Sequence, residues 1–70
     1  MQLSPRQEQV LIALQGGYAN DDIAQMLDIS SHTVKYHCRQ LYRRYGVSNR
    51  FELMAKLVQR TSALRLKTLQ

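Results

Sequence analysis

Ile23-Ala24-Gln25-Met26-Leu27-Asp28-Ile29-Ser30-Ser31-His32-Thr33-Val34-Lys35-Tyr36-His37-Cys38-Arg39-Gln40-Leu41 is the stretch that decides how this chain folds. Ile23, Ala24 and Leu27 recur at helical spacing and make one apolar face. Asp28-Ile29-Ser30 is too short to be more than a turn, and Ser30 or Ser31 offers a hydroxyl to cap the helix that follows. In that following helix Val34, Cys38, Leu41 and Tyr45 fall within a stripe about 60° wide, at roughly 100° per residue. The stretch therefore reads as helix, tight turn, helix. Ala24 lets two helices cross closely, Asp28 tolerates the left-handed backbone of a sharp turn, and Ile29 with Val34 pins the angle between the helices. On the same wheel His32, Lys35, Tyr36, Arg39, Gln40 and Arg43 gather opposite the apolar stripe and form a basic, polar face.

Upstream, Ser4-Pro5-Arg6-Gln7 sets a capping Ser, a Pro at the first helical position and a Gln three residues after the cap, a strong start signal. Val10, Leu11 and Leu14 give that first helix its apolar face, and Gly16-Gly17 ends it. The second helix is expected to begin near Asn20, whose side chain caps it, with Asp21 and Asp22 where the helix dipole favours negative charge. Downstream, Gly46-Val47 stops the third helix, and Asn49-Arg50-Phe51-Glu52 opens a fourth. This last helix carries two apolar stripes. Phe51, Met54, Ala55 and Val58 make one, and Leu53, Leu57 and Leu64 make another about 100° or more around the wheel. One core needs only one stripe, so Met54, Ala55 and Val58 are assigned to the core and Leu53, Leu57 and Leu64 to contact with a second copy. The fold class is all-α, four helices in one domain over residues 1–70, with 61–70 read as a fraying helix end or a disordered tail.

Seventy residues bury only a modest core and leave little room for an enclosed catalytic pocket. With 44% hydrophobic and 21% charged residues the chain is too apolar for a disordered tail. A single cysteine permits no internal disulfide and fits a reducing cytoplasm. No apolar run approaches the roughly eighteen residues of a membrane span, and no signal-peptide pattern opens the chain. The net charge of +5 is unevenly placed. Up to Asp28, Arg6 stands against Glu8, Asp21, Asp22 and Asp28; from Ile29 to Phe51 come Lys35, Arg39, Arg43, Arg44 and Arg50 with no acid. That second stretch is the candidate polyanion contact, carried by a helix that fits a major groove about 12 Å wide.

The chain resembles the LuxR-type (GerE-like) helix-turn-helix domains of bacterial transcription regulators, over roughly Leu3 to Lys56. The resemblance is carried by Leu3-Ser4-Pro5-Arg6 with Val10-Leu11, Gly17 before Asn20, Ile23-Ala24 with Leu27, Ile29-Ser30, Thr33-Val34-Lys35 followed by His37, and Gly46-Val47 with Asn49-Arg50. It implies a four-helix domain that binds double-stranded DNA sequence-specifically, with the third helix in the major groove and the fourth making a homodimer contact. Position by position it implies that Lys35, Tyr36, Arg39 and Gln40 face bases, with Ser31, Thr33, His37 and Arg43 nearer the phosphates. Asn20, Arg44 and Arg50 complete the expected phosphate set. Arg39 is the foremost base reader, because a guanidinium bonds guanine O6 and N7 together. RNA polymerase is a further candidate partner, and a cytoplasmic, nucleoid-associated regulator is the expected setting. Three departures stand out: Ala19 where a capping Ser or Thr is frequent, Asp21 where a Lys is frequent, and Gln7 and Asp22 where Glu is common.

Other readings are weaker. A helix-turn-helix used mainly as a protein-interaction module is the principal alternative, since fold does not fix function, but it leaves the aligned Lys35, Arg39 and Arg43 without a purpose. The promoter-reading domain of sigma factors shares the architecture, yet fits Thr33 to Arg50 poorly. An enzyme is not expected: the sequence has no carboxylate pair, phosphate loop or nucleophile–base arrangement. Cys38, His37 and His32 invite a metal reading, but Cys38 belongs to the apolar stripe while His32 lies on the polar face, so neither metal nor cofactor is expected. Tyr42 and Tyr45 read as core or core-edge aromatics.

Overall fold

The structure is a computed structural model, and it describes residues 3–58. Helix α1 spans Pro5–Gln15, α2 spans Asn20–Leu27, α3 spans Ser31–Tyr45, and α4 covers residues 50–58. No strand occurs among the described residues.

The starts follow from capping chemistry. Ser4 accepts from the Gln7 N–H while the Gln7 side chain accepts from the Ser4 N–H, a reciprocal box with Pro5 at the first helical position. Ser30 caps α3 by accepting from the Thr33 N–H at 3.1 Å. Asn49 caps α4 through the Glu52 N–H at 2.8 Å, and the Glu52 carboxylate reaches back to the Ser48 N–H. Helix α2 corrects the expectation for Asn20. Its cap is Ala19, with no side-chain cap bond, and Asn20 is already the first helical residue. A methyl group offers no acceptor, so the start of α2 is set by the fold around it and by Asp21 and Asp22 in its first turn.

The ends of α1, α2 and α3 share one geometry. Gly17, Asp28 and Gly46 are left-handed, with φ of 87°, 55° and 68°. The residue after each donates its N–H back across the last turn: Tyr18 to the Ala13 carbonyl, Ile29 to Ala24 and Val47 to Tyr42. This satisfies carbonyls that the helix leaves open and places Ile29 and Val47 against the core.

The core comprises Val10, Ala13 and Leu14 of α1, Ile23 and Ala24 of α2, Val34, Cys38 and Leu41 of α3, and Leu53 of α4. Helix α4 is rotated relative to its expected orientation. Leu53 is fully buried, whereas Phe51 is 81% exposed, Val58 63% exposed, and Ala55 exposed as well. Met54 and Leu57 are half-buried against the core. The inward face is thus Arg50, Leu53, Met54 and Leu57, a spacing of i, i+3, i+4 and i+7. The cause is polar. Arg50 donates to the carbonyls of Tyr18 (2.7 Å) and Leu14 (3.1 Å), and Lys56 donates to that of Tyr45 at 2.5 Å. Leu53 therefore belongs to the domain's own packing rather than to a dimer seam, and Leu57 is partly covered by that packing. Leu64 lies outside the described residues.

Candidate nucleic-acid interface

Helix α3 lies across the rest of the domain with Val34, Cys38 and Leu41 buried, which turns its opposite side outward. Lys35, Tyr36, Arg39, Arg43 and Arg44 are exposed there, and Gln40 is half-exposed. Lys35, Arg39, Arg43 and Arg44 make no hydrogen bond or ion pair among the described residues, so their charges face solvent. The turn that holds α3 is the one expected: left-handed Asp28, then Ile29 packed on the core and Ser30 as cap. Tyr36, Arg39, Gln40, Tyr42, Arg43, Val47 and Ser48 line an open groove beside the C-terminal half of α3.

The residues expected near phosphates separate into three sets. Arg43 and Arg44 are outward cations at the C-terminal end of α3. Ser31 and Thr33 sit at its N-terminal end with hydroxyls already engaged. Ser31 donates to an Asp21 carboxylate oxygen at 2.6 Å, and Thr33 shares a 2.8 Å bond with Ser30. Asn20 is half-buried at the start of α2, and His37 is half-buried with Nδ1 enclosed and unpartnered among the described residues. Arg50 is the correction. Its guanidinium donates to the Leu14 carbonyl in the last turn of α1 and to the Tyr18 carbonyl in the loop beyond it, and it acts as a clamp between α1 and α4.

Cys38 is not poised for chemistry. Burial pushes its thiol above the ordinary value, opposed by a hydrogen bond with Tyr42, and it packs between Val34 and Leu41 in the α3 stripe. Burial also raises the Tyr42 hydroxyl. Two sets of contacts escape a reading of the sequence. Arg6 donates to the Leu27 carbonyl, and the Gln7 amide donates to Gln40 on α3. The only sequence signal for the first is the bare α2 end itself, whose last turn has no basic residue of its own.

Residues 1–57 match the luxR family of bacterial regulatory proteins, represented by the GerE domain. The chain belongs to that family. It is a LuxR-type helix-turn-helix domain, of the kind that binds DNA and regulates transcription. Among similar proteins, the HTH-type transcriptional regulator MalT of Yersinia pestis (strain Pestoides F) is 46% identical over 50 residues, which is 71% of this chain and 6% of that protein. MalT of Cronobacter sakazakii (strain ATCC BAA-894) is 46% identical over 48 residues, 69% of this chain and 5% of the relative. The matched part of this LuxR-type chain is therefore only 5–6% of the length of these curated relatives. No helix among the described residues is long and apolar enough to cross a membrane.

Proposed function

We propose that this LuxR-type domain binds double-stranded DNA sequence-specifically, with α3 in the major groove, as the output domain of a bacterial transcription regulator acting with RNA polymerase on the nucleoid. One observation carries this reading: Lys35, Arg39, Arg43 and Arg44 stand exposed and unpartnered among the described residues, on a helix fixed by a capped, left-handed turn. Lys35, Tyr36, Arg39 and Gln40 face bases, with Arg39 bidentate to a guanine. Arg43 and Arg44 neutralise phosphates at the groove edge, and Asn20, Ser31 and Thr33, at the starts of α2 and α3, border the backbone together with His37 in the middle of α3. Asp21 weakens that border, because its carboxylate holds the Ser31 hydroxyl and repels phosphate.

Selection of preferred sites from random duplexes at two salt concentrations tests the reading. A defined motif retained at the higher salt is the expected result. Retention of DNA without sequence preference, or none at all, contradicts it.

Pairing of two copies follows from the rotated α4. Phe51, Ala55 and Val58 form an outward stripe within about 60° on the wheel, the surface that a second copy covers. Covering Phe51 or Val58 contributes about 1.5–3 kcal/mol each, while association costs several kcal/mol or more, so the pair forms chiefly on DNA with two half-sites. Phe51→Arg is expected to keep thermal stability and to weaken binding to a two-half-site duplex far more than to a single half-site. Equal affinities for both duplexes before and after the change remove this stripe from the dimer contact.

A further inference from the structure

A chain of hydrogen bonds runs from the cap of α1 to the outward side of α3. The Ser4 N–H donates to Gln7 Oε1 at 3.0 Å, Gln7 Nε2 donates to Gln40 Oε1 at 2.5 Å, and Gln40 Nε2 donates to the Tyr36 hydroxyl at 2.8 Å. The direction of this chain is forced from its start. A backbone N–H only donates, so Gln7 turns its oxygen to Ser4 and has only its NH2 left for Gln40. Gln40 therefore presents its oxygen to α1 and its NH2 to Tyr36. The phenolic oxygen, having accepted, keeps its own proton to give away. Beside Lys35 and Arg39, which only donate, Tyr36 and Gln40 are thus also held as donors.

We propose that Gln7, from helix α1, sets the base preference of the reading helix by holding Gln40 and Tyr36 as donors, so that the base they meet on the contacted strand presents a keto oxygen, from guanine or thymine, in place of an amino group. This rests on the reading of Tyr36 and Gln40 as base-facing. It also removes the bidentate pairing of a glutamine with adenine, which needs the carbonyl that Gln40 gives to Gln7. Gln7 is a positioning residue. Its own contacts are to Ser4 and Gln40, and it acts on the bases through Gln40 and Tyr36.

Glutamate at position 7 reverses the chain without removing the cap. One carboxylate oxygen still accepts from the Ser4 N–H, and the charge suits a helix N-terminus. The other oxygen can only accept, so Gln40 turns its NH2 inward and its carbonyl to Tyr36. Tyr36 then donates to Gln40 and shows lone pairs to the groove.

The test is site selection from random duplexes with the unaltered 70-residue chain, Tyr36→Phe, Gln7→Glu and the double variant. At the base pair whose preference Tyr36→Phe relaxes, the unaltered chain is expected to favour guanine or thymine by roughly fivefold or more, the worth of one hydrogen bond. Gln7→Glu is expected to invert that preference toward adenine or cytosine, and to change nothing there in the Tyr36→Phe background. Relaxation by Tyr36→Phe with no inversion by Gln7→Glu overturns the relay while leaving the base-facing reading intact, as does an amino base selected by the unaltered chain. Tyr36→Phe without effect at any position overturns the base-facing reading of Tyr36, and the relay with it.

Discussion

Arg6, Arg50 and Lys56 do the opposite of Lys35, Arg39, Arg43 and Arg44. Each of the first group points at the carbonyl end of a helix: Arg50 at the end of α1, Arg6 at the end of α2 and Lys56 at the end of α3. There the helix dipole is negative and the last carbonyls have no i+4 amide from the helix itself, so a cation steadies the fold. The second group runs along α3 into its last turn and makes no hydrogen bond or ion pair among the described residues, with charges directed to solvent. A formal net charge of +5 therefore overstates what the domain offers a polyanion. A place in the basic run does not by itself leave a cation free: Arg50 is engaged by carbonyls, while Lys35, Arg39, Arg43 and Arg44 stand exposed.

The sharpest way to break this division is Arg50→Gln. Two charge-assisted bonds to carbonyls are lost, and we expect the folding stability to fall by about 2–3 kcal/mol in denaturant titration, with the salt dependence of DNA binding by the folded protein unchanged. A stable variant with a shallower salt dependence returns Arg50 to the phosphate contacts. Arg39→Ala is the mirror test. It is expected to leave the denaturation midpoint in place and to lower specific affinity by about 1–3 kcal/mol, relaxing preference at one base position per half-site. Equal weakening on specific and random duplexes moves Arg39 from bases to phosphates. The smallest effect is that of Arg43→Gln, which is expected to weaken specific and random DNA alike and to reduce the slope of log affinity against log salt by roughly 0.9. Lost sequence preference at an unchanged slope places Arg43 on a base.

Much of this was legible in the sequence because α1, α2 and α3 are punctuated. Ser4-Pro5, Gly16-Gly17, Asp28, Ser30 and Gly46 each act on their own neighbours, and each helix has one apolar face, so local rules suffice. In α4 the sequence places Met54 correctly against the core but misplaces Leu53, Ala55 and Val58, because its two stripes are about equally apolar. The side turned inward carries Arg50, which reaches Leu14, 36 positions away in the chain. The outward side of α3 was readable for the same reason that its inward side was, a single strong period. Its internal bonds were not: Gln7 meets Gln40 across 33 positions, and Asp21 meets Ser31 across 10. Such pairs are set by how helices cross, and a helical wheel holds no information about crossing. Asn20 was chosen as a cap because its side chain could serve, when the position before it, Ala19, already had the extended backbone that a cap requires.

Helix α3 is closed at both ends, by Ser30 at its start and by left-handed Gly46 at its finish. A helix so closed has little ordering left to do when it meets a duplex, and that shows in time as well as in affinity. With α3 already formed, encounter with DNA on the proposed function is governed by diffusion and by attraction between the outward cations and the phosphates, so the association rate is expected to follow ionic strength closely. Discrimination between sequences is then expected in the dissociation rate: right and wrong sites would be visited about equally often, and the right one left more slowly.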